Sequence, residues 1–109
     1  EVYRGSFAIS VCPSENVESP TIVGAQAANE LLNIIEIKAS FVLTEYNDKI
    51  YISSRSIDEI NVQIIMEKLG GGGHLNVAGA QLTGVTIVQA KRMIQDTLDE
   101  MLKEGDIEE

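Results

Sequence analysis

Tryptophan is missing from the 109 residues, and three tyrosines and two phenylalanines are all the aromatic mass available. A core must therefore be aliphatic, assembled from Ile, Val, Leu, Ala and Met. A single cysteine, Cys12, excludes an internal disulfide and favours a reducing compartment. It closes the apolar run FAISVC, where a small core residue is expected. A single histidine, His74, excludes a histidine-rich metal site within the chain. Cations are also scarce: 8 Lys and Arg stand against 17 Asp and Glu, a net charge of −9, and the last eleven residues, DEMLKEGDIEE, hold six of the acids. Wrapping a long nucleic acid takes several Lys or Arg on one face, so that class is disfavoured. A small phosphorylated ligand needs only one or two placed cations and some backbone amides. No apolar run approaches the ~20 residues of a membrane span, and no secretory signal is visible. With Glu1 in place of a starting methionine and a charged end, the chain reads as a domain at 1–104 with an acidic tail at 105–109, excised from something longer.

What is present has an ordinary globular balance, 44% apolar and 23% charged, without internal repeats. Residues 6–12 (SFAISVC) suit a buried strand, followed by a loop at 13–16. Ser19-Pro20 supplies an N-cap and a first-turn proline. Ile22, Ala25, Ala28, Leu31, Leu32 and Ile35 then recur at helical spacing, which predicts a helix of about 15 residues. Residues 37–46 and 49–55 carry β-branched and aromatic content around Asn47-Asp48, the pattern of a β-hairpin, with Ile50 and Ile52 on one side and Tyr51 on the other. Two starts compete for the next helix. One is a Ser56/Glu59 capping box; the other, which fits better, is Asn61 with Ile60 and Ile65 as staple. That helix must end at Gly70. Residues 74–80 suit one or two tight helical turns and residues 81–84 a short strand. A capping box of Thr86 and Gln89 opens a last helix to about Glu104, with Ile87, Ala90, Ile94, Leu98, Met101 and Leu102 on one face. The order is that of an α/β (α+β) sandwich: a small mixed sheet of four to five strands covered by helices.

The stretch KLGGGGHLNVAGAQ holds the strongest chemical signal. One glycine caps a helix, and glycine inside regular structure costs about 0.5–1 kcal/mol relative to alanine. Four in a row, Gly70 through Gly73, directly before His74 and an expected helix start, fit an anion cradle of bare amides. The bland alternative is a packing or connector role. His74 behind such a cradle is a natural donor to a phosphate oxygen, although a lone histidine is more often structural. In SSRS (residues 53–56), three hydroxyls surround Arg55, whose guanidinium can grip phosphate in bidentate fashion; otherwise this is a polar strand end. Ala78, Gly79 and Ala80 suit close helix–sheet packing. Asp58, Glu59 and the acidic tail fit solvated surface better than metal ligands. There is no nucleophile–base pair.

Taken together, SSRS and NVQIIMEKLGGGGHLNVAGAQL resemble the C-terminal DHH-associated domain of the DHH phosphoesterase superfamily. Its signature is Ser-Arg-Ser, a short helix, then Gly-Gly-Gly-His-x-x-Ala-Ala-Gly. Ser54, Arg55, Ser56, Gly71, Gly72, Gly73 and His74 match it; Val77 replaces the first alanine, and Ala78 and Gly79 follow in place. Leu75, Asn76, Val77, Ala80 and Gln81 most resemble the GdpP (YybT) type of bacterial cyclic-di-AMP phosphodiesterase. The resemblance implies a hydrolase in its full-length form, with two divalent metals, usually manganese, in a preceding DHH domain and none in this part, which would be inactive alone. It implies that Arg55 and His74 contact nucleotide phosphate, that the amides of Gly71, Gly72 and Gly73 line the pocket, and that Ser54 and Ser56 support Arg55. Metal-bound hydroxide would attack phosphorus in line. The expected location is the cytoplasmic side, anchored through missing N-terminal membrane helices. The expected partners are a cyclic or linear dinucleotide and the DHH domain of the same chain. A homodimer stays open, and neither long nucleic acid nor direct membrane contact is expected. The alternatives are a nucleic-acid-binding module of an exonuclease or tRNA-editing protein of the same superfamily, and a non-enzymatic sensor or assembly domain.

Overall fold

The computed structural model describes residues 1–12, 20–34, 36–57 and 60–108. The runs of alternating and β-branched residues pair into one sheet of six strands: β1 (Val2–Tyr3), β2 (Phe7–Cys12), β3 (Ala39–Tyr46), β4 (Lys49–Ser56), β5 (Gly72–Gly73) and β6 (Val77–Thr83). Across the sheet they lie in the order β1-β2-β3-β4-β6-β5. The mixed α/β architecture is as expected; the strand count exceeds four to five because two edge strands of two residues each, β1 and β5, carry no alternation to read.

Only β2 and β3 run parallel, and helix α1 (Pro20–Leu31) is the connection that makes this possible. Side-chain alternation then sorts the two faces. On β4, Ile50, Ile52, Ser54 and Ser56 are buried, while Tyr51, Ser53 and Arg55 are half-buried on the other side. Cross-strand register carries the sorting on: Ile50, Ile52 and Ser54 lie opposite Leu82, Ala80 and Ala78 of β6. Phe41 and Leu43 of β3 lie opposite Ser54 and Ile52. This face forms the main core with Ile65 and Met66 of α2 (Val62–Lys68) and Ile94, Leu98 and Met101 of α3 (Ile87–Glu104). The opposite face of β3 is covered by α1, where Ser40 Oγ donates to the Ala28 carbonyl at 2.7 Å. Central β3 is thus buried on both faces, in accord with its unbroken run SFVLT.

The helix signals hold at α2 and α3. Asn61 Oδ1 accepts from the Ile64 amide at 3.3 Å, and Thr86 and Gln89 exchange both bonds of the capping box. α1 is 12 residues long, ending before the expected stop; Ser19, Ile35 and the Ser56/Glu59 box, through Glu59, fall outside the described residues, as does the loop at 13–16. Ser56 itself lies in β4 rather than at a helix start. Cys12 is half-buried rather than in the core, at the end of β2 where burial fades from Ser10 onward. After α3, Gly105 takes φ +81° and the chain folds back far enough to bury Ile107 in the core.

One expectation is overturned. Residues 74–80 form no helical turns: His74 to Val77 make a tight turn, with the His74 amide on the Val77 carbonyl at 2.7 Å, and β6 follows. The reason is period-two burial. Ala78, Ala80 and Leu82 alternate with exposed or half-exposed neighbours, so a strand puts all three into the core. Smallness in VAGAQL serves packing on a strand: Ala78 and Ala80 join the core beneath the helices, and β5 presses against Gly79 and Ala78.

Candidate functional site

The four glycines have separate jobs. Gly70 takes φ +86°, and the amides of Gly70 and Gly71 bond the carbonyls of Glu67 (3.1 Å) and Met66 (2.8 Å). That pair of bonds is the Schellman closure of a helix, and Gly70 occupies the left-handed position it requires. The Gly71 amide is therefore committed to α2 and does not face an anion. Gly72 and Gly73 pair with Gly79 and Ala78 as an edge strand. A Cβ on Gly71 would collide with the Gly79 carbonyl and Ala80; one on Gly73, at φ +146°, would sit 2.6 Å from both Ala78 Cα and the Val77 oxygen. A Cβ on Gly70 or Gly72 would meet nothing within 4 Å, and of these two only Gly70 needs its left-handed φ. The run lets a chain leaving a helix press flat against the sheet. It does not open a helix, so a helix-terminus cradle is absent here.

That flat edge leaves the second face of β6 and β5 uncovered beside β4, since α1 lies over β2, β3 and β4. Gly24 of α1 approaches so closely that a Cβ there would lie 3.0 Å from Ser53 Oγ and 3.2 Å from Thr44 Oγ1. The result is an open groove of about 770 Å³, lined among others by Arg55, Gly71, Gly72, Gly73 and His74. The structure thus brings five of the seven motif residues together. His74 is exposed on the turn leaving β5; Arg55 is half-buried near the end of β4, and Val77, its cross-strand partner, also lines the groove.

Arg55 is held by its own strand. Nη1 donates to the Ser54 carbonyl at 2.8 Å, and the described residues place no carboxylate in ion-pair range of it. Burial alone lowers its pKa from the ordinary value. A desolvated cation without a counter-ion is a costly arrangement unless an anion completes it. Four of its five guanidinium donors remain for such a ligand.

Ser54 and Ser56 are not brought to the groove. Both project to the opposite face, into the core, because they differ by one residue from Arg55 on an alternating strand. Ser54 touches Arg55 through its carbonyl only; its hydroxyl is buried with no hydrogen-bond partner among the described residues. Ser56 Oγ donates to the Ile60 carbonyl (2.6 Å) and accepts from Asn76 Nδ2 (3.1 Å), while its amide donates to the Asn76 carbonyl (3.0 Å). Asn76 also donates to the Ile57 carbonyl at 2.9 Å. Ser56 and Asn76 therefore pin the His74 turn to the end of β4 and so keep the histidine on the groove that Arg55 also lines. Ser53, one of the three hydroxyls of SSRS, does line the groove; Tyr51, Gln81 and Ala25 line it too and were not singled out as ligand contacts from sequence. Counting back by twos from Arg55 finds Ser53 and Tyr51; Gln81 and Ala25 need the tertiary pairing.

Among the described residues no three His, Cys, Asp or Glu side chains converge to hold a metal. The donor set of these residues does not fit a metal centre. No helix of the described residues is long and apolar enough to cross a membrane.

With this geometry in place, the comparisons with known proteins fall into line. The model of the DHHA1 domain matches residues 5–104. The chain is 46% identical over 100 residues to the cyclic-di-AMP phosphodiesterase PdeA of Listeria monocytogenes, covering 91% of this chain and 15% of that protein. It is 39% identical over 106 residues to the cyclic-di-AMP phosphodiesterase GdpP of Bacillus subtilis, covering 95% and 16%. The chain thus spans about a sixth of the length of these curated relatives. Among solved structures, an exopolyphosphatase-related protein from Bacteroides fragilis superposes with a TM-score of 0.80 at 23% identity, over 93% of this chain and 31% of that one, a likeness of fold.

Proposed function

The chain belongs to the DHHA1 domain family, and from this premise we propose that it is the substrate-binding part of a bacterial two-metal phosphodiesterase acting on cyclic-di-AMP or related short dinucleotides. Arg55 and His74 hold nucleotide phosphate at one end of the groove, with the backbone at Gly72 and Gly73 beneath. The observation that carries this reading is a half-buried guanidinium, without a carboxylate partner among the described residues, that shares a glycine-lined groove with an exposed imidazole. Ser56 and Asn76 act as positioning residues for the His74 turn. Two divalent metals in a preceding DHH domain supply the hydrolytic chemistry, and the parent protein lies on the cytoplasmic side of a membrane that anchors it. The net charge of −9 supports a small phosphorylated ligand over the nucleic-acid alternative, since neutralising many phosphates takes many cations.

The test is a heteronuclear NMR titration of the 109-residue chain with the linear dinucleotide pApA. Shifts should concentrate at Arg55, Gly72, Gly73 and His74. A charge-assisted contact is worth about 1.5–3 kcal/mol, so Arg55→Ala should weaken binding roughly ten- to hundredfold. Shifts confined to another face, or an Arg55→Ala affinity equal to that of the wild type, would overturn the proposal.

A further inference from the structure

Arg55 and His74 occupy one end of the groove; the other end carries a different chemistry. Along β4 and β6 the groove-facing cross-strand pairs run Arg55–Val77, Ser53–Gly79 and Tyr51–Gln81. The middle pair is low: Gly79 has no side chain, and a Cβ there would lie 2.8 Å from the Ile52 carbonyl. The last pair sets a half-buried phenol ring directly opposite an exposed carboxamide. Neither side chain has a hydrogen-bond partner among the described residues. Four residues of strand separate Tyr51 from Arg55, roughly 13 Å along the backbone. Long side chains at both ends shorten that span to the reach of a phosphate, a sugar and a base.

We propose that Tyr51 and Gln81 form a nucleobase subsite, the ring taking the flat face of the base and the carboxamide its hydrogen-bonding edge. Every base offers a π-face to an aromatic ring, and glutamine pairs its donor and acceptor with an edge such as N6 and N7 of adenine. Ser53 and Gly79 leave the low saddle over which the sugar passes. This subsite rests on the phosphate reading given above. It accounts for groove residues that a phosphate site alone leaves without a task.

The experiment titrates the 109-residue chain with AMP and, separately, with ribose 5-phosphate, again by NMR. Wild-type protein should bind AMP about tenfold tighter than ribose 5-phosphate, the lower end of what one stacked base contributes. Tyr51→Ala should abolish that advantage and leave ribose 5-phosphate binding unchanged; Tyr51→Phe should keep it. Tyr51→Leu, which retains apolar bulk on the strand, should also lose it, so that a folding defect is told apart from a lost ring. Gln81→Ala should reduce AMP binding a few-fold without touching ribose 5-phosphate. Equal affinities of the two ligands in the wild type, or an AMP advantage that survives both Tyr51→Ala and Tyr51→Leu, would overturn the subsite and leave the phosphate site standing. Failure of both ligands to bind would overturn both.

Discussion

Substituting Gly73 and Gly72 separately, each by alanine, separates packing from ligand contact within one run of glycines. At Gly73 two costs combine. Its φ of +146° is a conformation that an alanine adopts only under strain, about 1–3 kcal/mol for a residue in such a region. The new Cβ would also stand 2.6 Å from Ala78 Cα and the Val77 oxygen and 2.9 Å from Ala78 Cβ, all of them on or next to the backbone of a paired strand. Overpacking of that kind costs about 1–3 kcal/mol. The sum, about 2–6 kcal/mol, is a large part of the ~5–15 kcal/mol that holds a typical domain together. With a urea slope of about 2 kcal/mol per molar, the midpoint of unfolding should fall by about 1–3 M. Gly72 is the internal control. Its Cβ would meet nothing within 4 Å, and its φ is not in the left-handed range; alanine there should leave the midpoint unchanged or raise it slightly through loss of unfolded-state freedom. Chemical denaturation followed by circular dichroism reads both. Coincident midpoints for the two variants would refute the argument that the glycines serve strand packing. Because Gly72→Ala is expected to fold normally, any loss of pApA affinity it shows reports on the groove itself.

Ser54→Ala should be neutral or stabilising by up to about 1 kcal/mol, since it removes a buried hydroxyl without a partner; a midpoint drop beyond that would mean the hydroxyl is satisfied. Thr86→Ala should cost about 1 kcal/mol, because the Gln89 amide loses the Thr86 hydroxyl that accepts from it at the start of α3; for a domain of this size, thermal unfolding should shift down by about 4–8 °C. Tyr3 Oη donates to Asp99 (2.7 Å), and Arg4 Nε donates to it as well (2.6 Å), fastening β1 to α3. These contacts lower the Asp99 pKa, the Tyr3 bond most, and the same bond raises that of Tyr3. The lowered carboxyl contributes stability above its unfolded pKa that is lost as pH falls through its folded one. The raised phenol contributes stability below its unfolded pKa near 10 that is lost as pH rises through its folded one. Asp99→Asn should flatten the acid limb of the stability profile, by no more than about 1 kcal/mol for a group this exposed; an unchanged acid limb would show that the cluster contributes nothing.

Several features were legible without coordinates because they are local. The hairpin of β3 and β4, the caps at Asn61 and Thr86 and the stripe from Ile87 to Leu102 follow from neighbours three or four residues apart, or from alternation by twos. The motif residues Arg55 and His74 were also legible, through their types and their setting. The strand in VAGAQLT was legible only at its end, where residues 81–84 were expected as a strand; its start was not, because its residues are small, its alternation is shallow, and glycines next to small residues fit a turn of helix as well as an edge strand. The contact that settles the matter is the pairing of residues 77–83 with β4, a long-range event that no window of sequence contains.

By itself, then, the order of residues determined an aliphatic α/β domain without an internal disulfide, because composition and short-range spacing answer to backbone geometry alone. Folding in three dimensions decided the rest. It spent the Gly71 amide on a helix end, turned Ser54 and Ser56 inward and opened the floor from Tyr51 to Arg55 as a groove. Which side of a sheet a residue faces, and what covers it, depends on the strands and helices paired around it.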